Sequence, residues 1–378
     1  MKKEKLIIVM KEPIDDYPPI LSLINIALEE GKRIHLLAAC KSDDKYTELN
    51  KQGICFIRSQ VYKGNLIQRL KLLFVFKRKA LNLIRKEYDS NSLIWIVQSE
   101  MVGLLGKNIW GLDTVGHFLE VRNPNLSLGY KLLSIGSNYK NSVRNLSKVI
   151  CCEYNRAQIT KWMYSLKETP TVLPNKPYWD DSVVVDNEYT TILKKKYAGK
   201  KIILYQGIID TERHLESFIS AINQMPDEYV FFIMGGRSKY AQELRNKYES
   251  EKIVFVDFIT PPLHLCVTKM CNIGVLSYTP NNEEIGHVLN VLFCAPNKLY
   301  EYSRYGKPMI ANENPALKYT FAEFKSGKSI DTMDTGNIIE ALDDIENNYE
   351  LYSKESKRLY DSVKLKEIID DVFDSFNS

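Results

Sequence analysis

The chain has 378 residues, of which 44% are hydrophobic, and this is enough apolar material for two domains of similar size rather than one core. Its net charge of +4 is unevenly distributed, because residues 1–178 carry 28 Lys and Arg against 16 Asp and Glu, whereas the remainder carries 23 against 31. The apolar run at residues 6–10 is shorter than the hydrophobic region of a signal peptide, and no later run approaches a membrane span, so the sequence predicts a soluble or peripheral protein.

The first half of the chain alternates short apolar runs with helical segments. Short β-branched runs separated by helices are typical of a parallel sheet. Residues 1–178 are therefore predicted to form a Rossmann-like domain, with a helix at about residues 19–30. Its strands are predicted at residues 5–10, 33–39, 54–59, 92–99, 113–121 and 148–153.

Two acidic residues follow the first predicted strand. Asp15 and Asp16 lie in the loop of residues 11–19, at the carboxyl end of a parallel strand, where ligand-binding loops collect. Asp16 is a candidate catalytic base. Its structural alternative is to cap the following helix.

A basic segment follows at residues 63–86, which contain eight Lys or Arg and no acidic residue. Lys71, Arg78 and Arg85 recur every seven residues and therefore lie near one face of a helix, with large apolar residues on the other faces. This composition suits an anionic membrane surface, and the alternative is a domain helix with a solvated basic face. Nucleic acid is not an expected partner, because no nucleic-acid-binding signature accompanies the charge.

The predicted strand at residues 113–121 contributes two further candidates. His117 and Glu120 lie in this strand or just after it. Each can act as a general base or contact a hydroxyl group of a bound ligand. The alternative for His117 is a buried imidazole that the protein itself satisfies.

Residues 171–181 form the predicted linker, since they contain two prolines, an asparagine and little helical pattern. Residues 179–355 are then predicted to form a second Rossmann-like domain, and the two doubly wound α/β domains are expected to face a cleft. The tail, residues 356–378, is predicted to be a helix that packs back on the first domain. The strands of the second domain are predicted at residues 200–207, 228–236, 252–258, 272–278 and 307–312.

Several candidate binding residues of the second half lie where a predicted strand meets its loop. Gly207 ends one strand and allows a ligand to approach the backbone closely. Arg213, at the start of the next helix, can present a planar guanidinium to a phosphate, and its alternative is an ordinary surface arginine. Gly235, Gly236 and Tyr278 end two other strands and complete this set.

Three familiar kinds of cofactor site are not predicted. The strand that ends in two glycines lacks the GxGxxG pattern of dinucleotide-binding proteins, and no P-loop pattern occurs. The seven cysteines include no CxxC pair, so neither a zinc site nor a disulfide framework is indicated. The sequence therefore predicts no cofactor and no bound metal, and it favours a reducing cytoplasm.

The stretch APNKLYEYSRYGKPMI combines a helix start, a glutamate, a glycine stop and a buried strand. Pro296 suits the first turn of a helix, and the free amides of that turn would favour an anion, to which Lys298 adds a positive charge. Glu301 is placed to accept hydrogen bonds from ribose hydroxyls, or else it is the dipole-favoured acid of a capped helix. The amides concerned are those of Asn297, Lys298 and Leu299.

Three stretches resemble the GT-B glycosyltransferases, and within them the retaining, family 4-like group that builds bacterial cell-surface polysaccharides. Residues 295–312, APNKLYEYSRYGKPMIAN, are similar to the sPnKlfEYlaaGkPVi segment of that group. Residues 204–222, LYQGIIDTERHLESFISAI, resemble its lYvGgl segment and the helix that follows. VICCEYNRAQIT (149–160) with PTVLPNKP (170–177) is similar to the stretch that leads to the interdomain linker. The resemblance covers the second half of the chain, and the first half mainly through its rhythm of strands and helices.

The resemblance implies that Glu301 contacts the donor ribose, that Lys298 and Arg213 contact the diphosphate, and that the amides near Asn297 contact phosphate. The chain departs from the group in three places. Phe293 stands eight residues before Glu301, so the E-x7-E pattern is missing; residues 214–217 supply no basic side chain; and residues 11–19 contain no glycine pair.

Together, the residues and the resemblance predict an enzyme of the hexosyltransferase type. It would transfer a sugar from a nucleotide diphosphate sugar to a glycan or lipid-linked acceptor in bacterial surface polysaccharide synthesis, such as that of capsule or O-antigen, with retention of configuration. Catalysis would be metal-independent, with Arg213 and Lys298 stabilising the departing diphosphate. An inverting enzyme would need Glu120, His117 or Asp16 as its base.

Two other functions are compatible with the sequence. A sugar-nucleotide epimerase on the same fold would act without an acceptor, and it would leave the basic segment unexplained. A non-catalytic module would use the cleft only to bind a glycan or a partner. The expected location is the cytoplasm, with peripheral attachment to the inner face of the cell membrane through residues 63–86 as an alternative.

Overall fold

The chain forms two compact units. The computed structural model describes residues 3–122, 128–133, 138–236, 238–281 and 283–377. The first unit comprises the chain as far as Tyr178 together with the C-terminal segment from Lys364, and the second unit runs from Trp179 to Val363. Each unit contains its own parallel sheet.

The first unit contains a seven-stranded parallel sheet in the order β3-β2-β1-β4-β5-β6-β7. Residues Leu6 to Met10, in an interior strand of this sheet, are fully buried, because parallel sheets are covered by helices on both faces. This double coverage explains why the strand reads as a continuous apolar run rather than an alternating one. The strands are β1 (Lys5–Pro13), β2 (Arg33–Ala39), β3 (Cys55–Ser59), β4 (Ser92–Val97), β5 (Thr114–Phe118), β6 (Lys148–Cys151) and β7 (Thr171–Val172).

The helices of the first unit cover its sheet. They are α1 (Pro18–Glu29), α2 (Asp43–Lys51), α3 (Leu66–Glu87), α4 (Ser99–Leu105), α5 (Leu128–Leu133), α6 (Tyr139–Arg144), α7 (Tyr154–Tyr164) and, at the end of the chain, α17 (Leu365–Asp374). The last of these lies beside α1, where Lys366 forms an ion pair with Glu30. Its Phe373 ring meets the edge of the buried Trp95 ring, with centroids 6.3 Å apart.

The second unit contains a six-stranded parallel sheet in the order β10-β9-β8-β11-β12-β13. Its strands are β8 (Lys201–Gly207), β9 (Tyr229–Gly235), β10 (Ile253–Val256), β11 (Ile273–Leu276), β12 (Met309–Asn312) and β13 (Gly327–Ile330). Its helices are α8 (Glu188–Lys196), α9 (Leu215–Gln224), α10 (Lys239–Tyr248), α11 (Leu265–Met270), α12 (Ile285–Leu292), α13 (Asn297–Arg304), α14 (Pro315–Phe324), α15 (Thr335–Asn347) and α16 (Tyr349–Ser362).

The structure confirms the predicted class of two doubly wound α/β domains and adds two short strands. β7 lies inside the predicted linker, and β13 was not predicted from the sequence. The first division of the chain falls between Tyr178 and Trp179. The second falls after Val363 rather than after residue 355, because α16 still packs in the second unit, where the Ser356 hydroxyl donates to the Lys307 carbonyl at 2.8 Å.

The basic segment forms most of α3, which begins with a capping box between Asn65 and Gln68. One face of α3 packs into the core of the first unit through Leu73, Phe76, Ala80, Leu83 and Ile84. This is the arrangement of a domain helix. The opposite face remains exposed, and it mixes basic side chains with the large apolar residues Ile67, Phe74 and Val75.

Among the helices of the described residues, we find none that combines the length and the apolar composition of a membrane-spanning segment.

Candidate functional site

The candidate site of the second unit lies at the point where the strand order reverses. β8 is flanked by β9 on one side and by β11 on the other. Open α/β sheets bind ligands beyond the carboxyl ends of their strands at such a switch point. Gly207 ends β8, and Tyr278 lies two residues beyond β11.

α13 begins at this edge of the sheet. Its first residue is Asn297, one residue later than the sequence predicts, and Pro296 is its N-cap. The amides of Asn297 and Lys298 precede the first helical hydrogen bond and are oriented towards the helix N-terminus. The amide of Leu299 donates to the Pro296 carbonyl at 3.2 Å, so the prediction that it is free for a ligand is wrong. Gly306, at a φ of 60°, ends the helix as the sequence predicts.

The ammonium group of Lys298 lies over two aromatic rings. Its Nζ atom is 4.5 Å from the centroid of the Tyr205 ring and 5.0 Å from that of Tyr278. The same atom lies close to Gly207, where a Cβ atom would be 3.0 Å from it. Because Gly207 also has a φ of 131°, a side chain there would be strained and would displace the lysine. Glycine at this position therefore keeps space for the lysine head group.

Arg213 lies against the same tyrosine. Its guanidinium carbon is 4.7 Å from the centroid of the Tyr278 ring, within the range of a cation–π interaction. Its Nε atom lies 3.3 Å from a carboxylate oxygen of Asp210, and its Nη2 atom lies 3.6 Å from Glu212. His287 contacts the other Glu212 oxygen at 3.1 Å. The two carboxylates therefore hold the guanidinium beside the tyrosine.

Burial and the neighbouring positive charge of Arg213 lower the pKa of Lys298 to about 7. Without a bound anion, a large fraction of this lysine is therefore uncharged at neutral pH. An anion placed beside it would restore the proton, because an adjacent negative charge favours the ammonium form. Lys298 is thus a group whose charge responds to the ligand.

Glu301 lies one helical turn beyond Asn297 and is 8% exposed. The side-chain amide of Gln206 donates to one of its carboxylate oxygens at 2.5 Å, and His264 Nε2 lies 3.2 Å from the other. Burial opposes ionisation, but the charges and hydrogen bonds of His264, Gln206 and Lys298 outweigh it and lower the pKa of Glu301. Two carboxylate oxygens offer about four acceptor positions, so this fixed carboxylate retains acceptor capacity for a ligand.

Gly235 and Gly236 lie beside this group at the end of β9. Gly235 pairs with Gly207 across the sheet, and a Cβ atom on Gly235 would collide with the Gly207 carbonyl oxygen. Gly236 follows it in open space. Gly207 and Gly236 are exposed, whereas Gly235 is buried beneath its neighbours.

The candidates of the first unit lie in different surroundings. His117 is fully buried in β5, where its Nδ1 accepts a hydrogen bond from the Trp95 indole at 3.3 Å, and burial lowers its pKa to about 3. The enclosed ring is not placed to act as a catalytic base, and its Nε2 atom has no hydrogen-bond partner among the described residues, so the imidazole is not satisfied by the backbone either. Glu120 forms an ion pair with Arg122, and Asp16 lies in the loop after β1, 2.6 Å from Lys41.

Four residues in or near these sites were not identified from the sequence. Tyr205, Gln206 and His264 contact Lys298 or Glu301, but no local pattern marks a side chain that acts across the fold. Gln98 follows β4 at a φ of 72°, which is unusual for a residue other than glycine. Its buried side-chain amide has no hydrogen-bond partner within the described part of the chain.

No group of three or more His, Cys, Asp or Glu side chains within the described ranges is arranged to hold a metal ion.

Comparison with known proteins gives matches in structure but not in sequence. No protein-family model matches the chain, and no curated protein sequence matches it. A glycosyltransferase from Rickettsia africae aligns with 13% identity and a TM-score of 0.72, covering 100% of this chain and 98% of its own. Anabaena HepE in complex with UDP and glucose aligns with 14% identity and a TM-score of 0.69 over 100% of both chains. WaaG, a glycosyltransferase involved in lipopolysaccharide biosynthesis, aligns with 12% identity and a TM-score of 0.64 over 99% of this chain and 100% of its own. Identities this low establish the fold alone, and the chain is therefore a protein of the GT-B fold, with two Rossmann-like domains.

Proposed function

We propose that this protein is a glycosyltransferase that uses a nucleotide diphosphate sugar as its donor. The observation that carries the proposal is the pair of cations, Lys298 and Arg213, within 5.0 Å of the same Tyr278 ring at the switch point of the second sheet. The N-terminus of α13 adds the partial positive charge of a helix end. The similar Anabaena HepE structure contains UDP and glucose, which supports a donor of this class.

Different residues of the site would bind different parts of the donor. Lys298, Arg213 and the first amides of α13 would bind the diphosphate, and Glu301 would accept hydrogen bonds from the ribose hydroxyls. Gly207 and Gly236 are exposed and would leave the backbone open to the nucleotide, and the buried Gly235 allows the two strand ends to approach each other. As the bond between sugar and diphosphate breaks, negative charge grows on the leaving oxygen, and the two cations stabilise it without a metal ion.

We further propose that configuration is retained, so that no protein base is required. If the reaction inverts instead, Glu120 and Asp16 are the accessible candidates for the base, since His117 is enclosed. The acceptor, a glycan or a lipid-linked molecule of a bacterial surface polysaccharide, would bind the basic first unit. The enzyme would then work in the cytoplasm, attached to the inner face of the membrane through α3.

The proposal is tested by a thermal-shift screen of the purified protein against UDP, GDP, CMP, dTDP, ADP and their common sugars. A ligand at 100 times its Kd that binds only the folded state adds about 2.7 kcal/mol to the free energy of unfolding. We expect one selective nucleotide diphosphate to raise the melting temperature, and Glu301→Gln to reduce the shift. No shift with any of them would contradict the proposal. Epimerisation of the sugar of the nucleotide sugar, in the absence of an acceptor, would identify an epimerase instead.

The affinity for the selected nucleotide sugar is expected to fall as pH rises above 7. Lys298 loses its proton near that pH in the free protein and must regain it to bind the anion, so the limiting loss is about tenfold per pH unit. Calorimetry between pH 6 and 8 in buffers of different ionisation enthalpy measures the proton uptake. Lys298→Arg, which keeps its charge, should bind with little pH dependence. Unchanged wild-type affinity and no proton uptake would contradict this assignment.

Turnover is expected to be unaffected by EDTA, because the two cations rather than a metal ion would neutralise the diphosphate. The assay compares initial rates before and after chelation and gel filtration. The matched control adds Mg²⁺ back to the treated enzyme. A loss of turnover that Mg²⁺ restores would overturn the metal-free mechanism.

Replacement of Lys71 and Arg78 by glutamate is expected to release the protein from anionic vesicles. Both side chains lie on the exposed face of α3, near Ile67 and Phe74, and each basic residue near an anionic surface contributes about 1 kcal/mol of attraction. Cosedimentation with vesicles of anionic and of neutral phospholipid measures the difference. Lys195→Glu, on α8 of the second unit, is the matched control. Continued sedimentation of the double variant would support the alternative of a domain helix with a solvated face.

A further inference from the structure

A small pocket lies in the first unit, at the carboxyl ends of β1 and β3. It has a volume of about 150 Å³, and α3 forms one of its walls. The apolar side chains of that wall are Leu72, Leu73, Val75 and Phe76. A cavity of roughly this size with aliphatic and aromatic walls is large enough to hold a molecule of the size of benzene. It therefore has room for a short segment of an aliphatic chain.

Cationic and polar groups line the rest of this pocket. Lys11, on β1, has its Nζ atom 2.7 Å from the Tyr130 hydroxyl and 4.7 Å from the centroid of the Tyr62 ring, which also lines the pocket. Glu12 lies 3.3 Å from the same Nζ atom. Lys79, on α3, donates to the Arg58 carbonyl at 3.1 Å and leaves other ammonium protons for a ligand. Two ammonium groups therefore border an apolar space.

Ser59 supplies an independent observation. It ends β3, lines the pocket and is 8% exposed, and its buried hydroxyl has no hydrogen-bond partner in the part of the chain that the structure describes. Buried polar groups are normally paired, so this hydroxyl can still donate and accept hydrogen bonds with a molecule that enters the pocket. The pocket also lies at the sheet edge where parallel α/β folds bind their ligands.

The apolar wall of the pocket reaches the protein surface at one residue of α3. Val75 lines the pocket and is also half-exposed. A chain longer than the cavity would therefore leave it over an apolar side chain.

We propose that this pocket binds an aliphatic phosphate ester, with its chain against α3 and its phosphate between Lys11 and Lys79. The charge of the ligand complements the two lysines, and the shape and lining of the cavity suit the chain. The inference deepens the proposed function by naming the acceptor class, which is a phosphate group carried on an aliphatic chain. The role of this ligand as the acceptor rests on the proposed function. The binding itself does not depend on the donor site.

The test is calorimetric titration of the purified full chain with decyl phosphate, held below its micelle concentration, and in parallel with decanol and with inorganic phosphate. Decyl phosphate is expected to bind at least about tenfold more tightly than either, since it alone uses both the apolar wall and the lysines. Equal affinity for decanol and decyl phosphate would overturn the role of the lysines. No binding of decyl phosphate would overturn the proposal.

Variants separate the two parts of the pocket. Leu72→Trp, which fills the cavity from a partly exposed position, should weaken decyl phosphate by about tenfold or more. Lys79→Gln should weaken decyl phosphate but not decanol, and Lys79→Arg should restore it. Lys140→Gln, an exposed lysine on α6 of the same unit, is the matched control and should bind normally. If Leu72→Trp binds normally, the pocket is not the site.

Two further measurements distinguish this pocket from a bilayer surface and from the donor site. If the protein binds only vesicles of anionic phospholipid, and if Lys71→Gln weakens this binding as much as Lys79→Gln does, the result would show adsorption to a bilayer and overturn the pocket. Nucleotide binding is measured separately through Glu301→Gln in the second unit. Decyl phosphate binding in a protein that binds no nucleotide would contradict the proposed function while leaving the pocket established, and the reverse result would contradict only the pocket.

Discussion

Replacement of Arg213 or Lys298 by alanine is expected to lower turnover by about 100- to 1,000-fold, the usual loss when one group that stabilises transition-state charge is removed. Both cations lie beside Tyr278, where the departing diphosphate would gain negative charge. The loss should appear in kcat, because the interaction strengthens as the bond to the sugar breaks. Initial rates over a range of donor concentrations separate kcat from KM.

The controls for this prediction distinguish catalysis from folding. Arg213→Ala leaves Asp210 and Glu212 without their guanidinium partner, which should cost about 1–3 kcal/mol of unfolding free energy, although Glu212 keeps its contact with His287. Lys318→Ala and Arg358→Ala remove exposed cations of the same unit and should leave turnover unchanged. Turnover equal to wild type in Arg213→Ala would remove this residue from the site.

Replacement of Glu301 by glutamine is expected to weaken nucleotide binding by about tenfold or more, because hydrogen bonds to a charged acceptor contribute about 1.5–3 kcal/mol each. The carboxylate is held in place by Gln206 and His264, so a ligand hydroxyl meets a fixed acceptor. The side-chain amide of glutamine presents an N–H donor where the carboxylate presents one of its two acceptor oxygens. Calorimetric titration with the nucleotide selected by the screen measures the change.

The same substitution has a predicted cost in stability. Gln206 and His264 lose a charged partner in a buried setting, so the free energy of unfolding should fall by about 1–3 kcal/mol. Glu323→Gln, an exposed change in α14 of the same unit, is the matched control for both measurements. Unchanged nucleotide affinity in Glu301→Gln would leave the glutamate as a structural acid of a capped helix.

Some parts of the candidate site follow from local sequence. The start of α13 and its end at Gly306 lie within one residue of where the pattern of residues 295–310 predicts them, because caps and glycine stops depend on the backbone of their own turn. Gly207 ends β8 as predicted. The sequence alone was less reliable for Leu299, since its amide bonds locally to the Pro296 carbonyl rather than remaining free.

Other parts depend on which elements the fold brings together. Glu301 is oriented by Gln206 on β8 and by His264 just before α11, which are distant in the chain. His117 and Glu120 are three residues apart, yet one is enclosed beside Trp95 and the other forms an ion pair with Arg122. The pocket beside α3 likewise requires the ends of β1 and β3 to meet a helix face.

The sequence by itself determined the class of the fold and the positions along the chain of nearly all the strands that the structure describes, because continuous apolar runs and turn residues act through near neighbours along the chain. It also determined that a basic helix and an anion-favouring helix start are present. Only the tertiary structure decided which side of α3 is buried, that Lys298 loses its charge near neutral pH and that Lys298 and Arg213 share one tyrosine. The physical reason is that burial and electrostatic interaction depend on distances in space, and the packing of the sheet and helices sets those distances.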